Sequence, residues 1–293
     1  MPLQVFDAGG VVDGDLVAIT TDVEAPGAWY LFRLGDRATL QLLARVATEA
    51  PAVDVALDGT VAYVAEETAI RLYRVTDPAA PKELGSVPAR DWELERPARR
   101  LAVAERVVYV VTGAAPAMRS DDFMHGGGLL VISASNPAVP RVVGRESQYT
   151  MSPGLVDLAL SGDHVFAADR TGGFVAIDIS RRTEPQRVGS YPTCGLPADV
   201  TVPDTRAYVA IGWGTLTLQV DDPAAPRQGG YVPSTGALYL TASGDGLLLT
   251  GETGFFANWT RVRDLGEWRK TATLPVSPRD MAIGGGHVFL AAE

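Results

Sequence analysis

Cysteine is almost absent from this chain. Cys194 is the one cysteine among 293 residues, which excludes an internal disulfide framework and any multi-cysteine zinc site. Basic residues are outnumbered: 25 Lys and Arg face 35 Asp and Glu, a net charge of -10. Such a surface repels phosphate backbones and anionic lipid heads, so neither nucleic-acid binding nor membrane insertion is expected. No stretch approaches the roughly 18 to 20 apolar residues of a membrane-spanning helix. The opening MPLQVFDAGG lacks the basic start and apolar run of a signal peptide. The chain as written is therefore expected to stay where it is made, a removed leader apart, and its compartment stays open. Helical spacing is missing almost everywhere. So are a nucleophile elbow, a metal-binding helix and a dinucleotide loop. Gly284 to Gly286 has no helix after it and reads as a strand turn. No cofactor and no metal site are expected.

What is present is a repeat. The composition, 46% hydrophobic and 20% charged, supplies a packed core. A short strand, a small polar turn and a second apolar strand recur in DVALDGTVAYVAE from Asp54, DLALSGDHVFAAD from Asp157 and DVTVPDTRAYVAI from Asp199. RLAVAERVVYVVT from Arg100, YLTASGDGLLLTG from Tyr239 and DMAIGGGHVFLAA from Asp280 align without a gap, and a weaker copy, GGVVDGDLVAITT, starts at Gly9. Alternating apolar residues around a turn of Gly, Asp, Ser or Glu mark a hairpin of half-buried strands. A third strand follows (RLYRV, LLVIS, FVAID, LTLQV), then TDPAAP, SNPAVP or DDPAAP, then a fourth (KELGSV, RVVGRE, QRVGSY, RQGGYV). Asp or Asn before Pro starts a turn, and the second Pro suits an outermost strand with a free edge.

Four-stranded units of about 40 residues bury both faces when arranged radially. The expected fold is all-β: one seven-bladed β-propeller over residues 1–293, with inner strands starting near 9, 54, 100, 157, 199, 239 and 280. The seventh unit ends after two strands, and MPLQVFD resembles a detached third strand. Leu3 to Phe6 is therefore expected to pair with Val288 to Ala291 and close the ring.

The segments GLLVISASNPAVPRVVG, FVAIDISRRTEPQRVGSY and ADVTVPDTRAYVA resemble the LVIVD repeat, a bacterial and archaeal motif taken to form β-propellers. The resemblance is strongest from 52 to 232. Proteins with this repeat are often exported or cell-surface and mostly lack an assigned activity. It thus implies binding more than catalysis and carries over no catalytic residue.

By analogy with other propellers, a site is expected at the channel mouth, on the face of the loops that enter the first strands and join the second to the third. The recurring Asp54, Asp157, Asp199 and Asp280 could form a ring of oxygens for a hard cation. A residue that recurs in unit after unit is better explained as an acceptor of backbone N–H groups. Arg100 and Tyr239 break that pattern. So does the third unit's insertion of about 15 residues, TGAAPAMRSDDFMHGGG from Thr112 to Gly128, which has the composition of a lid.

Two functions follow. The first is capture of a small molecule, peptide or protein by a monomer, with Trp92, Arg99, Met118, Phe123, Tyr149, Trp213 and Phe255 as contact residues. The alternative is acid–base chemistry at the same mouth on a small, partly aromatic or anionic substrate. There His125 is acid or base, Asp122 orients it, and Arg100 or Tyr239 stabilises negative charge. Cys194, with no base beside it in sequence, is expected to be a packed thiol.

Overall fold

The computed structural model describes residues 10–21, 27–35, 39–94, 96–113, 127–147, 154–170, 172–242, 247–253, 258–264, 270–274, 278–284 and 287–292. Among them every regular element is a β-strand, apart from one turn of 3-10 helix at Ala89–Asp91.

The strands follow the repeat. β1 (Gly10–Asp13), β2 (Leu16–Thr21), β3 (Ala28–Gly35) and β4 (Thr39–Ala47) form the first antiparallel sheet in sequence order. The second holds β5 (Ala52–Asp58), β6 (Val61–Glu66), β7 (Ala69–Arg74) and β8 (Lys82–Pro88). The third holds β9 (Ala98–Ala104), β10 (Val107–Thr112), β11 (Gly128–Ser133) and β12 (Arg141–Ser147). The fourth holds β13 (Leu155–Ser161), β14 (His164–Asp169), β15 (Gly173–Asp178) and β16 (Gln186–Tyr191).

The next two units share a strand. β17 (Asp199–Thr201), β18 (Arg206–Ala210) and β19 (Gly212–Gln219) lead into β20, which runs without a break from Arg227 to Ala242. Its first part pairs with β19, and its last part pairs with β21 (Leu247–Thr253). β22 (Asn258–Asp264) and β23 (Lys270–Leu274) complete this seven-stranded sheet. β24 (Pro278–Gly284) and β25 (His287–Ala292) pair as a hairpin. Leu3 to Phe6, the strand expected to close the ring, lie outside the described residues.

Neighbouring sheets pack face to face. One buried cluster joins Trp29 and Leu31 of the first unit to Val55 and Tyr73 of the second. Others join Tyr63 and Trp92 to Val108 and Ile132, Tyr109 and Leu129 to Val165 and Ile177, and Phe166 and Phe174 to Val209 and Leu218. A middle strand is therefore covered on both sides. All six residues of β10 are buried, as are five of the six in β14 and β15. This differs from the half-buried strands expected from alternation, because each such strand faces two neighbouring sheets. Alternation is seen in the outermost strand β16.

Glycine and proline set the seams between sheets. A Cβ on Gly85 in β8 would lie 2.8 Å from the Pro137 carbonyl oxygen and 2.9 Å from Cδ of Pro140, both in the next unit's Asn-Pro turn. A Cβ on Gly144 would meet the Arg182 carbonyl, and one on Gly189 the Pro223 carbonyl. The turns are self-braced: Oδ1 of Asp77, Asn136 and Asp222 accepts the N–H two residues on, at 3.1–3.2 Å. In these three seams the turn between third and fourth strands thus seats on the glycine of the preceding unit, whether or not it is built on Asn-Pro or Asp-Pro.

The first strands adjoin in order. β1 lies beside β5, β5 beside β9, β9 beside β13, β13 beside β17, β17 beside β20, and β20 beside β24, which in turn lies beside β1.

Candidate functional site

The first strands surround a cavity of about 370 Å³. Its apolar wall includes Val11, Leu57, Val103, Leu158 and Leu240, and its polar groups are Asp54, Arg100, Asp157, Asp199 and Thr201. The first-strand positions are aimed by local geometry. A register shift leaves one extra residue beside them in β5, β9, β13, β20 and β24. Such a bulge re-aims the neighbouring side chain.

The aspartates accept backbone N–H groups, as expected, but chiefly across the seam. Asp54 Oδ2 accepts from Leu101 N at 2.8 Å, while its Oδ1 accepts from Val55 N at 2.9 Å. Asp157 Oδ2 accepts from Val200 N at 2.8 Å, and Asp199 Oδ2 from Leu240 N at 2.9 Å. Each strap ties one unit's first strand to the next unit's. Among the described residues, no group of three or more His, Cys, Asp or Glu side chains is arranged to hold a metal ion.

Arg100 occupies the strap position of the third unit and works differently. Its Nη1 donates to the Val53 carbonyl at 3.2 Å, and its Nε lies 3.9 Å from Asp157 Oδ1. One guanidinium therefore links the second, third and fourth units. Burial pushes the Asp157 carboxyl above its ordinary value, opposed by a hydrogen bond with Asp199, the Arg100 charge and the Val200 and Leu158 N–H groups. The Asp157 and Asp199 carboxyls thus sit together beside the cavity, and burial favours the protonated form of Asp157.

The loops at this end of the strands contain further residues that depart from the repeat. Trp213, at the start of β19, is 71% exposed. Its carbonyl accepts a hydrogen bond from Tyr231 Oη at 2.6 Å, and Tyr231 is itself 43% exposed. Leu196 on the adjoining link is 59% exposed. Cys194 is exposed too, which corrects the expectation of a packed thiol: it lies on a link outside the core clusters. Trp92 is placed otherwise. Its side chain is fully buried between the second and third units, and its Nε1 donates to the Val87 carbonyl at 3.3 Å. It is core, away from the mouth. Arg99 is the bulged residue of β9, half-buried and already engaged. Tyr239 pairs through its backbone with Gly251. Met118, Asp122, Phe123, His125, Tyr149 and Phe255 lie outside the described residues.

Charged groups that sequence reasoning missed lie at the ends of second strands. Glu66 is buried and accepts from Arg71 Nε at 2.8 Å, and Arg71 also pairs with Glu49 and Glu83. Burial raises the Glu66 carboxyl above its ordinary value against the pull of Arg71, and Oε2 has no hydrogen-bond partner. At the equivalent place in the fourth unit, Asp169 meets Arg187 at 3.4 Å, and Arg187 also lies 3.4 Å from Glu146 of the third unit. The signal available was the acid that ends both VAYVAE and HVFAAD.

Residues 156–193, the fourth unit and the link after it, match the family description LVIVD repeat. The chain carries an LVIVD repeat. No curated protein matches it. Among solved structures it is similar to the β-propeller domain of Cps50 (Swd1) from Myceliophteria thermophila, at 11% identity over 95% of this chain and 90% of that one, with a TM-score of 0.69. It is also similar to hydrazine synthase from Kuenenia stuttgartiensis, at 14% identity over 87% and 82% with a TM-score of 0.66. The computationally designed protein Ika8 matches at 10% identity over 99% and 94% with a TM-score of 0.63. At such identities the likeness establishes the fold alone. The fold is a β-propeller, with antiparallel sheets as its blades. No helix among the described residues is long and apolar enough to cross a membrane.

Proposed function

We propose that residues 1–293 form one seven-bladed propeller, acting as a monomer without a cofactor, that captures a small molecule, peptide or protein at the loop-face mouth of its channel. The cyclic adjacency of β1, β5, β9, β13, β17, β20 and β24 supports seven blades. In this reading the N-terminal strand completes the blade of β24 and β25. Removing residues 1–7 should then lower the melting temperature by several degrees, as expected when a domain loses about 1 kcal/mol or more; an unchanged melting temperature would refute the closure.

The observation that carries the binding function is the placement of tryptophan. Trp29 and Trp92 are fully buried, whereas Trp213 stands exposed beside Tyr231 on the loop face. A large exposed aromatic side chain loses hydrophobic stabilisation until a ligand covers it. The channel adds an apolar-walled cavity, with Arg100 and the carboxyl pair among its polar groups. The segment between Gly113 and Gly127 leaves and re-enters on this face, and in this reading it covers the mouth. The test is a small-molecule screen by ligand-detected NMR on wild type, Trp213→Ala and Arg100→Gln. Hits that weaken in either variant support the site. Hits that bind all three alike refute it.

A further inference from the structure

We propose that the loop face of the fourth and fifth blades takes a carboxylate carried beside an apolar group, with Arg170 holding the carboxylate and Trp213, Leu196 and Tyr231 the apolar part. This inference rests on the loop face being the binding face and adds the chemical class of the ligand.

Arg170 follows β14 directly, on the loop that leads to β15, and its backbone N–H donates to the Gly154 carbonyl. Its Nε is buried without a hydrogen-bond partner. Among the described residues no carboxylate pairs with its guanidinium. The other arginines set into this face are matched: Arg71 with Glu66, Glu49 and Glu83, Arg145 with Glu93, and Arg187 with Asp169 and Glu146. Desolvation alone lowers the Arg170 pKa, with no neighbouring charge to offset it. In a chain of net charge -10, a desolvated guanidinium left without an anion is complementary to an anion from outside.

The apolar half lies on the corresponding loop of the next blade. The loop that carries Arg170 ends at Gly173, which packs on the backbone of Tyr191, Pro192 and Thr193. That link continues to Gly195, whose added Cβ would lie 3.2 Å from the Trp213 indole. Arg170 and Trp213 thus sit on corresponding loops of adjacent blades, joined by a link whose Leu196 is exposed. Together they match an anion and an aromatic or aliphatic group on one ligand. A small aromatic acid and the C-terminal end of a protein segment share that chemistry.

The test is an NMR titration of the Trp213 indole N–H resonance, assigned by its loss in Trp213→Phe. Hydrocinnamate is compared with its amide, and the peptide acetyl-Gly-Phe-Ala-Phe with its C-terminal amide. Carboxylates should bind about tenfold more tightly than amides. Arg170→Gln should bring the ratio to about one, and Arg170→Lys should recover part of it. Because its Nε is unpaired, Arg170→Gln should not lower the urea midpoint, whereas loss of a structural arginine would lower it. Binding by hydrocinnamate indicates a small-molecule source, and binding by the peptide alone a protein segment. If acids and amides bind equally well, and ligand-detected NMR shows that all of them cease to bind in Trp213→Ala, the binding face stands and the carboxylate proposal falls. If no probe moves the Trp213 resonance at about 10 mM, where a charge-assisted contact of this size should register, both fall.

Discussion

The seams between blades and the loop face of the fourth and fifth blades are built from the same repeat, yet they use it in opposite ways. At the seams the same residue does the same thing each time: Gly85, Gly144 and Gly189 admit the next blade's turn, and Asp54, Asp157 and Asp199 strap the next first strand. On the loop face the notable residues occur once. Arg170, Leu196 and Trp213 have no counterpart in the aligned units, and they are unpaired or exposed where the seam residues are satisfied. Repetition marks what every blade needs in order to pack. Departure from it marks what the fold does not need, which is where a ligand can be served.

The largest effect should come from forcing a side chain into a seam. Gly189→Ala should cost about 3 kcal/mol by urea denaturation, since its Cβ meets backbone that cannot yield. Gly230→Ala, with nothing within 4 Å, should stay within about 0.5 kcal/mol. Equal costs would mean that the turn does not seat on the glycine. Next, Asp54→Ala should cost about 2 kcal/mol by the same measurement, because it leaves the Leu101 N–H buried without its acceptor. A change in the other direction is available at the turn between β9 and β10. Glu105 and Arg106 both have positive φ, 51° and 61°, a region that favours glycine; the first, second and fourth blades place Gly14, Gly59 and Gly162 where Glu105 stands. Arg106→Gly should therefore raise stability by about 1 kcal/mol.

A subtler effect concerns pH. Burial raises the Glu66 carboxyl above its ordinary value of 4.5. The fold thus favours the protonated form, and Glu66 contributes most below that value. Its contribution is lost as pH rises through the raised pKa. Urea midpoints measured from pH 4 upward should show wild type losing stability relative to Glu66→Gln. A wild type that gains instead would mean that the Arg71 pairing outweighs desolvation.

The fold was legible because its signals repeat. Hairpins, Asp-Pro turns and glycine-bearing fourth strands recur often enough to give the antiparallel strand order. Asp54, Asp157 and Asp199 also identified themselves as N–H acceptors. Which N–H it accepts was not legible, since the partner lies about one repeat away along the chain and is brought close only by ring geometry. Trp92 and Cys194 show the same limit from the other side. Both lie on links between sheets, with no periodicity to indicate burial, so one that looked like a contact residue is core and one that looked packed is exposed. Arg170 gave no sequence signal at all, because an unpaired guanidinium is defined by the absence of neighbours in space.

The comparison is tested most directly by measuring Gly144→Ala and Trp213→Ala together, each for urea midpoint and for hydrocinnamate affinity. Gly144→Ala should lose about 3 kcal/mol of stability and keep its affinity while folded. Trp213→Ala should keep its stability within about 0.5 kcal/mol and lose binding. If stability and affinity fall together in both variants, seam and binding face are not separate, and the account is wrong.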